Sequence, residues 1–168
     1  MHKDTIQNWQ PANYNTVDPY LPVKGVAEFI EFLKKAFGAK EDFRVPSPDG
    51  TIGHAEVRIG DSVLLMFDSK DAWPVTPAFL RIYVPNADEG FKRALAAGAE
   101  SITEVIDSFF GERGGRVKDP FGNIWWIVTR VEEVSDEEKG RRAGEQKYID
   151  NMIIAQKTFD DEMRSRAS

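Results

Sequence analysis

His54, Glu56 and Arg58 alternate with Ala55, Val57 and Ile59, so a strand over this run presents the polar three on one face and the apolar three on the other. A histidine and a glutamate two residues apart on one strand can share a metal ion or work as an acid–base pair. The plainer expectation, and the preferred one, is a polar stripe of hydrogen bonds and ion pairs at a cavity edge or subunit interface. The other histidine, His2, lies in the N-terminal segment. The chain has no cysteine, which removes disulfides, thiolate zinc sites and a cysteine nucleophile together.

A second group of residues points to binding. Phe79, Arg81 and Tyr83 alternate with Leu80, Ile82 and Val84; with the aliphatic three in the core, the other three face a concavity. Trp125 and Trp126 are neighbours on a strand and face opposite ways, so at most one of them lines that hollow. Arg81 either pairs a ligand carboxylate or phosphate or neutralises Glu56. Phe109 and Phe110, just before Gly111-Glu112-Arg113-Gly114-Gly115, read either as a mobile flap with aromatic contacts or as a hairpin packed on a partner chain.

The elements that must position these side chains occur twice. Strand 17–23 leads to an amphipathic helix over 26–37 that stops at Gly38, a hairpin over 40–45 and 51–59, and a strand over 62–68. The same order returns as strand 77–84, helix 87–97 and strands 101–106, 115–118 and 123–130. Val23 matches Val84, Gly38 matches Gly98 and Gly60 matches Gly122, a period of roughly 61 residues that marks two copies of one unit. Each copy alone leaves one sheet face uncovered by its helix, and two copies can close around that face.

Residues 17–131 resemble the vicinal oxygen chelate superfamily of glyoxalases, bleomycin-resistance proteins and extradiol dioxygenases. The likeness rests on the paired modules, on Tyr20-Leu21-Pro22-Val23 before a helix ending Ala36-Phe37-Gly38-Ala39, and on Arg116-Val117-Lys118-Asp119-Pro120-Phe121-Gly122-Asn123. The run from His54 to Asp61 is similar to the PhnB-like branch. The resemblance implies an α+β fold of two βαβββ modules, at about 17–69 and 77–131. Metal-using members hold one divalent ion with His, Glu or Gln on the first and fourth strands of the modules. Matched onto this chain, those strands offer Asp18, Leu65, Phe79, Asn123 and Trp126. The resemblance thus implies that Leu65, Phe79 and Trp126 stand where ligands would be. No metal and no other cofactor is expected, with a divalent metal at His54 and Glu56 as the alternative. The expected ligand-binding set is Phe79, Arg81, Tyr83, Trp126, Leu65, Phe109 and Phe110.

At 168 residues, 41% hydrophobic and 30% charged, the chain suits one compact domain with terminal extensions. A formal net charge of -6 speaks against nucleic acid or an anionic membrane and makes a cationic or neutral small molecule the easier partner. Neither a leader-like stretch nor an apolar run of bilayer length is present, so a cytoplasmic protein is expected. Residues 1–16 read as an arm anchored by Trp9. Ser135 and Glu138 form a capping box that opens a helix over 135–166, weakened early by Gly140 and Gly144. Tyr148, Met152, Phe159 and Met163, with Ile153 and Ala155 beside them, give that helix an apolar stripe. The stripe docks on its own sheet or crosses to a second subunit, and a homodimer with the tail at or near the interface is favoured. The favoured function is metal-independent binding of a small organic molecule in an aromatic cavity, as bleomycin-resistance proteins sequester drugs. The alternatives are a divalent-metal lyase, isomerase or dioxygenase similar to glyoxalase, and an interaction protein acting through its C-terminal helix.

Overall fold

Both halves fold with the same strand order. In the computed structural model, which describes residues 9–167, two units form: the first runs through Thr76 and the second begins at Pro77, with Lys35–Phe37 grouped with the second. The first unit carries β1 (Tyr20–Val23), α1 (Val26–Phe37), β2 (Lys40–Pro46), β3 (Ile52–Ile59) and β4 (Ser62–Asp68), in sheet order β1-β4-β3-β2. The second carries β5 (Phe79–Tyr83), α2 (Ala87–Ala96), β6 (Glu100–Asp107), β7 (Glu112–Lys118) and β8 (Ile124–Arg130), in order β5-β8-β7-β6. Each opening strand lies parallel to the fourth strand of its own sheet, and the other pairings are antiparallel. β1 is an edge strand, which is where the Pro22 backbone, lacking an N–H, costs no ladder hydrogen bond.

In the first unit, helical spacing puts Val26, Phe29, Ile30 and Leu33 on one fully buried face, and Ala55, Val57, Leu64 and Met66, which share one face of β3 and β4, supply a buried side of the sheet. Asp68 at the end of β4 ties helix to sheet. Its Oδ1 accepts from the backbone N–H groups of Gly25 and Val26 at 3.1 and 2.8 Å, and its Oδ2 accepts from Ile52 at 2.7 Å. A carboxylate at a helix N-terminus satisfies orphan donors and complements the dipole. The N-terminal arm is held differently from the expectation. Trp9 is 79% exposed, whereas the Tyr14 hydroxyl reaches Glu56 and the Asn13 carbonyl accepts from Arg58, so these two hold the described part of the arm. His2 lies outside the described residues.

The second unit has three layers. α2 lies on one face of its sheet through Ala87, Gly90, Phe91 and Ala94. Close approach requires a glycine opposite: a Cβ at Gly115 would sit 2.9 Å from the Phe91 ring and 2.7 Å from the Thr103 carbonyl oxygen. The C-terminal segment covers β6. It forms two helices, α3 (Asp136–Ala143) and α4 (Gln146–Ser165), where the sequence suggested one. Ser135 caps Glu138 N–H at 3.2 Å as expected, and the break falls at Gly144-Glu145, where glycine removes helix propensity. α4 packs on β6 of its own chain, while Met152, Ile153 and Met163 of the expected stripe stay 53%, 58% and 45% exposed. Asn151 Nδ2 donates to the Asp107 carbonyl at 2.9 Å, Arg166 Nη1 donates to the Gly122 carbonyl at 2.8 Å, and Phe159 stacks on Phe79 with centroids 5.1 Å apart. No helix among the described residues is long and apolar enough to cross a membrane.

Candidate functional site

Trp125 and Trp126 part as strand geometry demands. Trp125 is 2% exposed and donates its indole N–H to Asp119 Oδ2 at 2.8 Å. That carboxylate also takes the Asn123 amide, and its other oxygen accepts the backbone N–H groups of Phe121 and Asn123. Burial pushes the Asp119 carboxyl above its ordinary pKa, with these donors pulling the other way. The Asp119-Pro120-Phe121-Gly122-Asn123 turn is therefore a structural knot. Trp126 faces the other way, into a cavity of about 300 Å³ between sheet and α4.

The cavity walls come from β6, β7, β8 and α4, with Phe110 at the β6–β7 turn and Phe159 and Met152 on the helix. Its size lies at the lower end of the range for small-molecule sites. Two guanidinium groups lie over the Trp126 ring, one from each neighbouring strand: Arg81 at 4.5 Å and Arg116 at 4.7 Å from the centroid. Their partners differ. Arg81 is ion-paired with Glu112, which also accepts the Tyr83 hydroxyl at 2.9 Å. Glu56, one of the partners weighed for Arg81, is instead satisfied within the first unit.

Among the described residues Arg116 meets no carboxylate. It donates Nη1 to the Ala155 carbonyl at 2.7 Å, lies 3.5 Å from the Thr103 hydroxyl and sits over Phe159 at 5.2 Å. Its Nε is buried and has no hydrogen-bond partner among the described residues. Burial alone pulls this guanidinium below its usual pKa. The Thr103 hydroxyl is 2.6 Å from Thr158, and Thr158 donates to the Ile154 carbonyl at 2.9 Å, so Thr103 gives its proton to Thr158 and keeps a lone pair for Arg116.

Of the residues expected to bind ligand, Trp126 and Phe110 line this cavity. Arg81 and Tyr83 bracket it through Glu112, which does line it, and Phe79 backs Phe159. Phe109 meets Phe110 edge-on at 5.0 Å without lining it. Leu65 belongs to the first unit, on β4 opposite Glu56. The sequence reading missed Arg116, Thr103 and the contribution of α4. Alternation about Glu112, Gly114 and Arg116 on β7 was the signal that could have found Arg116.

His54 and Glu56 form a separate constellation in the first unit. Glu56, 5% exposed, accepts the Tyr14 hydroxyl at 2.5 Å and faces His54 Nε2 at 3.0 Å, while His54 Nδ1 is 3.0 Å from the Tyr20 hydroxyl. A carboxylate only accepts, so in the neutral imidazole Nε2 carries the proton and Nδ1 takes the Tyr20 proton. Arg58 pairs Asp42 at 2.7 Å. The stripe is thus a closed hydrogen-bonded chain. Both ring nitrogens of His54 and both oxygens of Glu56 are engaged, and among the described residues no three His, Asp or Glu side chains converge. As they stand, these residues do not fit a metal site, which needs several free donors from separate strands.

Comparison with known proteins agrees with the folding pattern. The uncharacterized Mycobacterium bovis protein Mb0911c is 39% identical, over 78% of this chain and 91% of its own. TioX from Micromonospora sp. ML1 superposes with TM-score 0.57 at 24% identity, covering 72% of this chain and 100% of its own. The PhnB protein of Bacillus cereus gives 0.52 at 13% identity, covering 68% and 99%. Those two structures share the fold. The family profile described as Glyoxalase/Bleomycin resistance protein/Dioxygenase superfamily matches residues 14–127, and the chain belongs to that superfamily.

Proposed function

We propose that this protein binds a small organic molecule in the cavity between β6–β8 and α4, and that it does so without a metal ion. The observation that carries the reading is the cavity of about 300 Å³ walled by Trp126, Phe110, Met152 and Phe159. Rings and a thioether offer area burial and stacking to a planar guest, with few polar groups to orient it. A metal-dependent lyase, isomerase or dioxygenase would need ligands that His54 and Glu56 have already committed to Tyr20, Tyr14 and each other.

The test is a nuclear magnetic resonance titration that follows the Trp126 indole with neutral, anionic and cationic naphthalene derivatives. At least one should shift that resonance saturably, and Trp126→Ala should lose the binding while keeping the fold. A panel that leaves Trp126 untouched would overturn the reading. Stoichiometric divalent metal in protein purified without a tag, lost in His54→Ala, would overturn its metal-free part.

A further inference from the structure

We infer that the cavity beside α4 selects an aromatic carboxylate, its anionic group held by Arg116 and its ring by Trp126, Phe159 and Phe110. This rests on the cavity being the ligand site.

The argument starts from an imbalance of charge inside the second unit. Half-buried arginines are ordinarily paired, and here Arg113 has Asp88 and Asp107, Arg142 has Glu132 and Glu138, and Arg166 has Glu162. Arg116 alone among the cavity's cationic and anionic lining groups lacks an ionic partner among the described residues. Asp107 and Glu112 also line the cavity, but Asp107 is committed to Arg113 and Lys147 and Glu112 to Arg81. The other polar lining groups, Thr103, Ser108, Asn151 and Gln156, carry no charge.

The guanidinium is also unsatisfied as a donor. Nη1 is spent on Ala155 and Nε has no acceptor. A guanidinium without a counter-charge in an apolar surrounding is matched by a carboxylate, which supplies charge and two acceptors in one plane. With Arg81 and Arg116 over Trp126, and Phe79 and Arg116 over Phe159, an aromatic body is matched by the edges of those rings together with Phe110 and Met152. The net charge of -6 pointed toward cationic or neutral guests, but that is a property of the whole surface, and the local field in a low-dielectric hollow is set by the nearest unpaired charge.

The experiment compares 2-naphthoate with its neutral isostere 2-naphthamide by calorimetry on the full chain, wild type and Arg116→Gln. Expected is at least tenfold tighter binding of the naphthoate, a preference abolished in R116Q and partly kept in Arg116→Lys. Raising the salt should weaken the naphthoate alone. Equal affinity for the two compounds in the wild type overturns the carboxylate preference and leaves the cavity reading standing, and this comparison needs no variant to fold. Wild-type affinity of R116Q for the naphthoate also overturns it. Naphthoate binding that survives Trp126→Ala puts the anion elsewhere and overturns it as well. If neither compound binds, the carboxylate proposal falls, and only a Trp126 response to other guests keeps the cavity reading alive.

Discussion

Glu56 and Arg116 occupy the same register position in their two sheets: Glu56 lies opposite Leu65 on β4, and Arg116 lies opposite Trp126 on β8. One copy of the duplicated module keeps a buried carboxylate there and the other a half-buried guanidinium. Their surroundings have diverged as well. Glu56 is fully satisfied by Tyr14 and His54, whereas Arg116 retains an unfilled donor. The first position therefore works as a structural node, and the second is where the proposed guest would supply the missing charge.

Replacing Glu56 by Gln leaves an amide facing two donors. Loss of stability of about 1–3 kcal/mol is expected from the mismatched buried group, read from urea unfolding. The Tyr14 phenol, held above its ordinary value of 10.0 chiefly by its hydrogen bond to Glu56, should titrate closer to that value in the variant. Ultraviolet titration would show it, and an unchanged Tyr14 midpoint would contradict the hydrogen bond.

Phe159→Ala removes the stack on Phe79 and the ring over Arg116. A half-buried ring in such contacts is worth about 1–2 kcal/mol. Because the loss is local to the α4 docking, amide exchange in α4 should accelerate well before that in α2. Uniform acceleration across both helices would mean that α4 does not open separately.

At Gly115 a methyl group would meet the Phe91 ring at 2.9 Å and the Thr103 carbonyl at 2.7 Å. Gly115→Ala should cost about 1–3 kcal/mol by overpacking between α2 and the sheet. The paired change Gly115→Ala with Phe91→Leu should recover part of that loss. Thermal melts of the two variants decide it.

Glu41 is held down to about 2, first by its hydrogen bond to Arg44 and then by Lys34. A carboxyl whose pKa falls on folding stabilises the fold when ionised. That contribution is complete above its unfolded value near 4.5 and disappears as the pH falls toward 2. Arg44→Met should move the Glu41 titration up toward 4.5 and shrink the stability lost on acidification from pH 5 to pH 3. Carboxyl chemical shifts followed against pH would register the change.

Local rules made most of the fold legible. The repeat at Val23 and Val84, the stop at Gly38, the N-cap at Ser135 and the opposite facings of Trp125 and Trp126 appear where expected, whereas Glu138 turns to Arg141 and Arg142 and does not close the capping box. Strand ends moved by a few residues, as at Tyr20 and Glu112, because pairing partners decide where a ladder stops. Trp9 failed as an anchor because an isolated aromatic residue carries no information about what it meets.

Composition and period thus determined the two βαβββ modules, their apolar faces and the helical character of the tail, since each follows from side-chain periodicity along a few turns or one strand. Only the tertiary structure decided that Arg81 belongs to Glu112, that Glu56 belongs to Tyr14, and that α4 closes over Trp126. Those pairings join residues about 30 to 40 apart, or bring a helix back onto a strand some 50 residues earlier. Nothing in a strand's own pattern names the partner that will satisfy its charge, so the alternation on β7 places Arg116 on the cavity face without showing that it meets no carboxylate.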